Sequence, residues 1–497
     1  MKLKKYLIFG YSSLLLLTTS CSKSFIDEVK PADGSLSNSV IFTSTQGVDN
    51  ALTGIYDLMR DYIPSSGRQN MYGIKTIMLN FDLRGNDMIS DPSNWWLYEN
   101  QWSDNAYGRI ATSARTEQIW NLFYKTINNA NAVIQNINQL PAAQSVKDQY
   151  VAEAKALRAY AYFYLARIYQ FTYAKDINAP GVPIYTEPAS SSSNGNSRAS
   201  LKNVYALITA DLEYAAATLT STRVDKYRIN KNVAQGILAE VYQEMGMADN
   251  TLWAKALSNA QAAVSGYSLM SSTGYKDGFN TASNTEWMWG MQFNSTQSFS
   301  YAGFFGYIEP VNSPNPNFKG RYNDLYINSS FVSLFTATDM RNRFIAAANQ
   351  STANPWKKWV TIKFQDNATQ SGDYVMMRAA EMYLIQAEAY AQMNQLTQAK
   401  NTLFALQSQR DPNAIVSTNL TQASILAEIL VERRKELYAE MGVQFFDLKR
   451  YQLPLVRDGN QWSLLNIPAT DNRWRWQIPQ SEMDANKSLT TADQNPL

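Results

Sequence analysis

Indole and phenol rings set among carboxylate, amide and guanidinium groups mark the two stretches best suited to holding a ligand. Residues 81–102 carry Trp95, Trp96, Tyr98 and Trp102 among Arg84, Asp87, Asp91 and Asn94. A sugar ring has one face of weakly polarised C–H groups and a rim of hydroxyls. An indole covers the first, and Asp, Asn and Arg hydrogen-bond the second. The charged groups make the stronger bonds. Residues 287–307 carry Trp287, Trp289, Phe293, Phe299, Tyr301, Phe304, Phe305 and Tyr307. Gly303 and Gly306 there let backbone approach a ligand closely. At least one of the adjacent rings Trp95 and Trp96 is predicted to face water. Trp287 and Trp289 alternate as on a strand, so both rings point one way, toward core or ligand. Trp356, Trp359, Trp462, Trp474 and Trp476 are expected to pack the fold.

Missing residue types narrow the chemistry further. The chain has no histidine, which removes Ser-His-Asp and Cys-His nucleophilic sites, histidine bases and most zinc or iron sites. No glycine-rich phosphate loop and no Gly-x-Ser-x-Gly elbow occurs. Two acids flanking a sugar suffice for a glycosidase. The candidates Glu153, Glu240, Glu381, Glu388, Glu428, Glu436 and Glu440 fall on predicted helices beside Arg and Lys, so structural ion pairs are expected instead. Glu432 adjoins Arg433, Glu436 adjoins Lys435, and Glu381 follows Arg378 by three residues. Asp82, Asn86, Asp87 and Asp91 cluster without the spacing of an EF-hand loop. No catalytic residue, metal or cofactor is therefore expected, and the chain reads as a binding protein rather than an enzyme.

The elements that must position these side chains begin after a processing signal. Lys2, Lys4 and Lys5, a short apolar run over residues 6–17, and Thr18-Thr-Ser20 read as an export signal over residues 1–20. The run is shorter than the ~20 residues of a bilayer span. Cys21 follows as the only cysteine, so no disulfide can form. Its place resembles a bacterial lipobox, in which the thiol is acylated; several acyl chains together anchor stably. Asp27 and Glu28 resemble the acidic cluster that sends such lipoproteins to the cell surface. Residues 21–40 are polar and read as a tether. Without the signal the formal net charge moves from +2 to −1, and nothing indicates a nucleic-acid partner.

Beyond the tether the pattern is mainly α. Val48, Leu52, Ile55 and Met59 form one apolar stripe. Trp120, Phe123, Ile127, Ala130 and Ile134 form another, stopped at Pro141. Met377, Ala380, Leu384, Ala387 and Ala391 mark a helix that hairpins at Asn394 onto Leu396, Ala399, Leu403 and Leu406. Hairpins of ~34 residues that stack on one another are the tetratricopeptide pattern. Four pairs are predicted: 44–60 with 117–139, 147–171 with 200–219, 230–246 with 251–264, and 376–393 with 396–408. Residues 71–108 and 266–366 interrupt them as long irregular insertions carrying short strands. Insertions in such a scaffold gather on one face, commonly the binding face.

Residues 374–389, 432–450 and 478–486 resemble signature segments of the SusD/RagB family, outer-membrane nutrient-uptake lipoproteins of Bacteroidetes-type bacteria. Residues 120–134 and 153–185 resemble its repeats. The resemblance implies a SusD-like helical scaffold, with an N-terminal region over 41–265 and a C-terminal region over 266–497 packed as one unit. It implies a lipid-anchored protein on the outer membrane, facing the exterior. Its role would be to capture an oligosaccharide, such as a starch-like polysaccharide, and deliver it to a SusC-type TonB-dependent transporter. Peptide cargo is the alternative that RagB-type relatives imply, and a surface glycosidase is the remoter one. By position, Arg84, Asp87, Asn94, Trp95 and Trp96 resemble the first half of the family's aromatic binding arc. Tyr301, Phe304 and Tyr307 resemble the second. Tyr98 joins them by its place in the aromatic run.

Overall fold

The computed structural model describes residues 41–62, 71–104, 108–190, 192–294, 296–297, 302–316, 325–366, 371–419 and 421–497. Twelve helices carry the architecture: α1 Thr45–Asp61, α2 Gly73–Asp82, α3 Ala114–Asn136, α4 Gln144–Tyr169, α5 Leu201–Thr218, α6 Lys231–Gly246, α7 Trp253–Ala263, α8 Phe304–Ile308, α9 Ala379–Gln392, α10 Leu396–Arg410, α11 Gln422–Glu436 and α12 Val443–Arg450. The predicted pairs form: α1 lies on α3, α4 on α5, α6 on α7, and α9 on α10. Each pair also meets the next, through α3 with α4, α5 with α6, and α7 with α9.

Caps and stripes explain the boundaries. Ser44 Oγ accepts from Gly47 N at 3.1 Å to open α1, whose Val48, Leu52, Ile55 and Met59 are fully buried. Asn230 Oδ1 accepts from Val233 N at 3.0 Å to open α6. The α6–α7 turn needs glycine at its corner. A Cβ on Gly246 would stand 2.8 Å from the Trp253 ring, so any larger residue would push the two helices apart. Asn394 takes φ +58°, the left-handed turn between α9 and α10 that asparagine tolerates.

One boundary differs from the sequence reading. Residues 376–378 are not the first turn of α9 but the end of strand β8, Tyr374–Arg378, and the helix starts at Ala379. Backbone pairing overrides the apolar spacing here: β4, Trp287–Met291, binds β8 antiparallel, with Met291 opposite Tyr374 and Trp287 opposite Arg378. Trp287 and Trp289 are thereby sealed in the core, where Trp289 Nε1 donates to Tyr227 O at 2.8 Å.

A four-stranded antiparallel sheet joins the two insertions. Its order is β1 Met88–Ser90, β5 Leu325–Ile327, β7 Trp359–Thr361 and β6 Phe344–Ala346. One strand comes from the first insertion and three from the second, with Met88 opposite Ile327 and Ile327 opposite Trp359. The main core runs without a break from Phe42 to Ile478. A small satellite core of Ile89, Tyr326, Ala347 and Val360 lies on the sheet.

Candidate functional site

Just past β1 the chain turns sharply, and the turn decides which indole meets water. Asn94 N donates to Asp91 O at 3.0 Å, Ser93 N to Asp91 Oδ1 at 2.9 Å, and Trp96 N to Asn94 Oδ1 at 3.1 Å. A single helical turn, Leu97–Asn100, follows. Trp96 points inward and meets Tyr307 edge-on at 5.3 Å, with the Arg115 guanidinium 5.7 Å from its ring. Trp95 points outward with 41 % of its surface open.

Two further tryptophan-bearing segments are tied to this turn. Lys357 forms an ion pair with Asp91. Trp462 Nε1 donates to Ser90 O at 2.6 Å, and Asn460 Nδ2 reaches Trp356 O at 3.2 Å. Trp356 and Trp462 are half-buried, each resting one side on the satellite core. Trp95, four residues after Asp91, Trp356, next to Lys357, and Trp462, bonded to Ser90 O, are thus linked through this turn. The sequence reading assigned Trp356 and Trp462 to packing alone. The signals that point outward are the Asn354-Pro and Gly459-Asn turns before each ring.

Most other members of the expected arc lie elsewhere. Arg84 is fully buried, with its guanidinium 5.2 Å from both the Trp102 and Trp476 rings, and burial pushes its pKa down to about 9. Asp87 is held in a two-pronged pair with Arg434, at 3.0 Å and 2.5 Å. Asn94 is buried and spends its carbonyl on the Trp96 turn. Tyr98 is half-buried. Phe304 and Tyr307 are buried because α8 plugs the space over β8: Phe304 meets Phe364 at 5.0 Å and Tyr374 at 5.7 Å. No sugar can stack on a ring without exposed area, so Trp96, Phe304 and Tyr307 pack the fold, while Arg84 and Asp87 are spent on the core rings and on Arg434. Tyr301 and Cys21 lie outside the described residues.

The carboxylates sort differently from their sequence neighbours. Glu436 is fully buried and accepts from Arg341 at 3.0 Å, Arg378 at 2.8 Å and Arg410 at 2.9 Å, not from Lys435. Glu432 pairs with Arg341, Glu153 with Arg228 at 2.6 Å, and Glu388 with Arg450. Glu428 accepts from Ser417, Asn419 and Gln407 and forms no ion pair among the described residues. Glu240 and Glu381 line a cavity of about 40 Å³ with Arg167 and Arg433. Burial raises both carboxyls, with Glu381 adding to the effect on Glu240. That volume holds a few waters and no sugar ring. Among the described residues, no group of three potential metal ligands occurs.

A larger recess lies on the far flank of α3. It is an open groove of about 650 Å³ floored by Tyr124 and Tyr185.

Comparison with known proteins covers most of the chain. A family model described as starch-binding associating with outer membrane matches residues 25–243, and the model of the SusD family matches residues 345–497. A SusD-like protein of Bacteroides ovatus is 28% identical over 247 residues, 47% of this chain and 40% of that relative's length. The SusD-like protein P38 of Formosa agariphila is 24% identical, over 69% of this chain and 73% of its own. The crystal structure of a SusD-like carbohydrate binding protein from Bacteroides vulgatus superposes with a TM-score of 0.80 at 27% identity, covering 92% of this chain and 99% of that one. A SusD superfamily protein from Bacteroides thetaiotaomicron has the same fold, with a TM-score of 0.75 at 24% identity over 92% of this chain and 100% of its own.

Proposed function

Because the chain belongs to the SusD/RagB family, we propose that it captures an oligosaccharide at the cell exterior and passes it to a SusC-type TonB-dependent transporter. The family is outer-membrane-associated, and its role is carbohydrate binding in nutrient uptake. Membrane attachment through an acylated Cys21 belongs to this proposal. Among the described residues no helix is long and apolar enough to cross a membrane.

The carrying observation is the open face of Trp95, whose backbone is held between the Asp91 turn and the Arg115 guanidinium, which donates to Trp95 O at 2.5 Å. A backbone ordered before the ligand arrives lowers the entropy lost on binding. Stacking with a few hydrogen bonds gives weak capture, on the order of micromolar to millimolar. That suits a protein that must release its cargo. The test is a screen of neutral polysaccharides and a peptide library against soluble chain beginning at Ser22. Retention on a glycan supports the reading; retention on peptides alone, with no glycan bound, overturns it.

A further inference from the structure

We infer that the groove between α3, the 184–196 segment and the C-terminal residues 482–486 is a second binding site for a neutral oligosaccharide, separate from the Trp95 surface. The inference rests on the carbohydrate-binding reading and adds a site to it. The groove measures about 650 Å³, within the ~300–1,000 Å³ that small-molecule sites occupy.

Its floor is rigid. The Tyr124 and Tyr185 rings stand 5.8 Å apart at 75°. Tyr124 Oη donates to Pro183 O at 2.8 Å. Tyr185 is held through its backbone, where Tyr162 Oη accepts from its N–H at 2.7 Å and Asn131 Nδ2 donates to its carbonyl at 3.0 Å. Its phenol oxygen accepts from Asn196 N at 3.1 Å and Asn486 Nδ2 at 3.3 Å. With two donors on that oxygen, the Tyr185 O–H has no acceptor among the described residues.

Glycine is required at one corner of the wall. Gly195 sits at φ +81°, and a Cβ there would stand 2.1 Å from Asn486 Oδ1. The wall therefore closes tightly on the amide that holds Tyr185.

The rim supplies unspent amides. Asn121 makes no hydrogen bond among the described residues, and Asn128 uses only its carbonyl, which accepts from Ala189 N at 2.7 Å. An amide offers donor and acceptor side by side, as a sugar hydroxyl does, and carries no charge to desolvate. Phenol rings below and neutral amides around match a sugar's apolar face and hydroxyl rim. Charged cargo of either sign meets a like charge there, since Lys125 lines the groove together with Glu187 and Glu482.

Isothermal titration with maltohexaose, xylohexaose, cellohexaose and β-1,4-mannohexaose tests this on the soluble chain. Two sites per chain are expected for at least one hexasaccharide. Trp95→Ala should leave one site. In that background Asn121→Ala should weaken the remainder roughly fivefold, the worth of one lost hydrogen bond. Tyr124→Ala should abolish it. The Asn121 side chain has no hydrogen-bond partner to lose among the described residues, so its variant stays folded even if Tyr124→Ala fails to fold, and circular dichroism separates loss of binding from loss of fold.

A single site lost in Trp95→Ala and untouched by Asn121→Ala overturns the groove assignment while the capture reading stands. A single site lost with the groove variants and untouched by Trp95→Ala supports the groove and removes the Trp95 surface. Failure of every hexasaccharide to bind, with peptides bound instead, overturns both.

Discussion

Trp95→Ala separates a ligand platform from a packing residue, and the structure sets the size of the effect. With 41 % of Trp95 open and a whole indole residue spanning roughly 250 Å², a ligand can cover ~100 Å². At ~25 cal/mol per Å² that area is worth ~2.5 kcal/mol if fully covered, and about half as much if a sugar covers one face. The corresponding loss of affinity is roughly 7- to 60-fold. Since capture is weak at the outset, the variant should be retained measurably less than the parent in affinity electrophoresis on the cognate polysaccharide. Its thermal midpoint should hardly move, because the ring is half in water already. Trp96→Ala provides the contrast. That ring is sealed against Tyr307 and Arg115, so its loss should cost about 3–5 kcal/mol of stability by opening a cavity. A Trp95→Ala protein that melts like the parent and still binds glycan with unchanged affinity would remove this surface from the mechanism.

Glu436→Gln should destabilise by about 3–5 kcal/mol in urea titration, since it strands Arg341, Arg378 and Arg410 around an uncharged amide; the exposed pair Lys255–Glu213 should give less than about 1 kcal/mol when broken. Burial opposes ionisation of Glu436 and Glu440, but the surrounding Arg and Lys outweigh it, holding Glu436 well below the usual range and Glu440 at about 2. Both titrate lower folded than unfolded, so their contribution is complete above about pH 4.3 and drains as pH falls toward about 2, which acid unfolding at fixed salt would show. Arg84→Met should keep or raise stability, because its guanidinium nitrogens have no hydrogen-bond partner among the described residues, and glycan affinity should be unchanged; a tenfold loss of affinity would return Arg84 to the site. Cys21→Ala should release the protein from the membrane fraction into the medium, and a variant that stays with the membrane would refute anchoring through the thiol.

The scaffold was legible because it repeats. An apolar stripe such as Val48, Leu52, Ile55 and Met59 buries the same face whatever it packs against, and caps at Ser44, Ser200 and Asn230 fix where each helix opens. The start of α9 was misread for the complementary reason. Tyr374–Arg378 has helix-compatible spacing, but its backbone partner, Trp287–Met291, lies some eighty residues upstream, beyond the reach of local pattern. The insertions carry no period, so the facing of each ring depends on which strand lies across from it. Trp95 and Trp96 share every local neighbour yet end on opposite sides of the surface. The Asp91 turn sends one outward, and α8 closes over the other. Composition can count rings in such a stretch but cannot orient them.

That dependence bears on how one helical scaffold can carry rings aimed in different directions. The sheet β1-β5-β7-β6 draws one strand from the first insertion and three from the second, so a change in either loop re-aims rings that the other supplies. Buried members of the arc set the aim without touching ligand: Trp96 and Tyr307 fix the floor beneath Trp95, and Asp87 is spent on Arg434 of α11. The helices beneath are held by caps and by the charge network around Glu436, to which the second insertion contributes Arg341 and Glu286. The second insertion thus both carries strands of the sheet and locks into the helical stack, so a change there should be read in stability as well as in ring orientation.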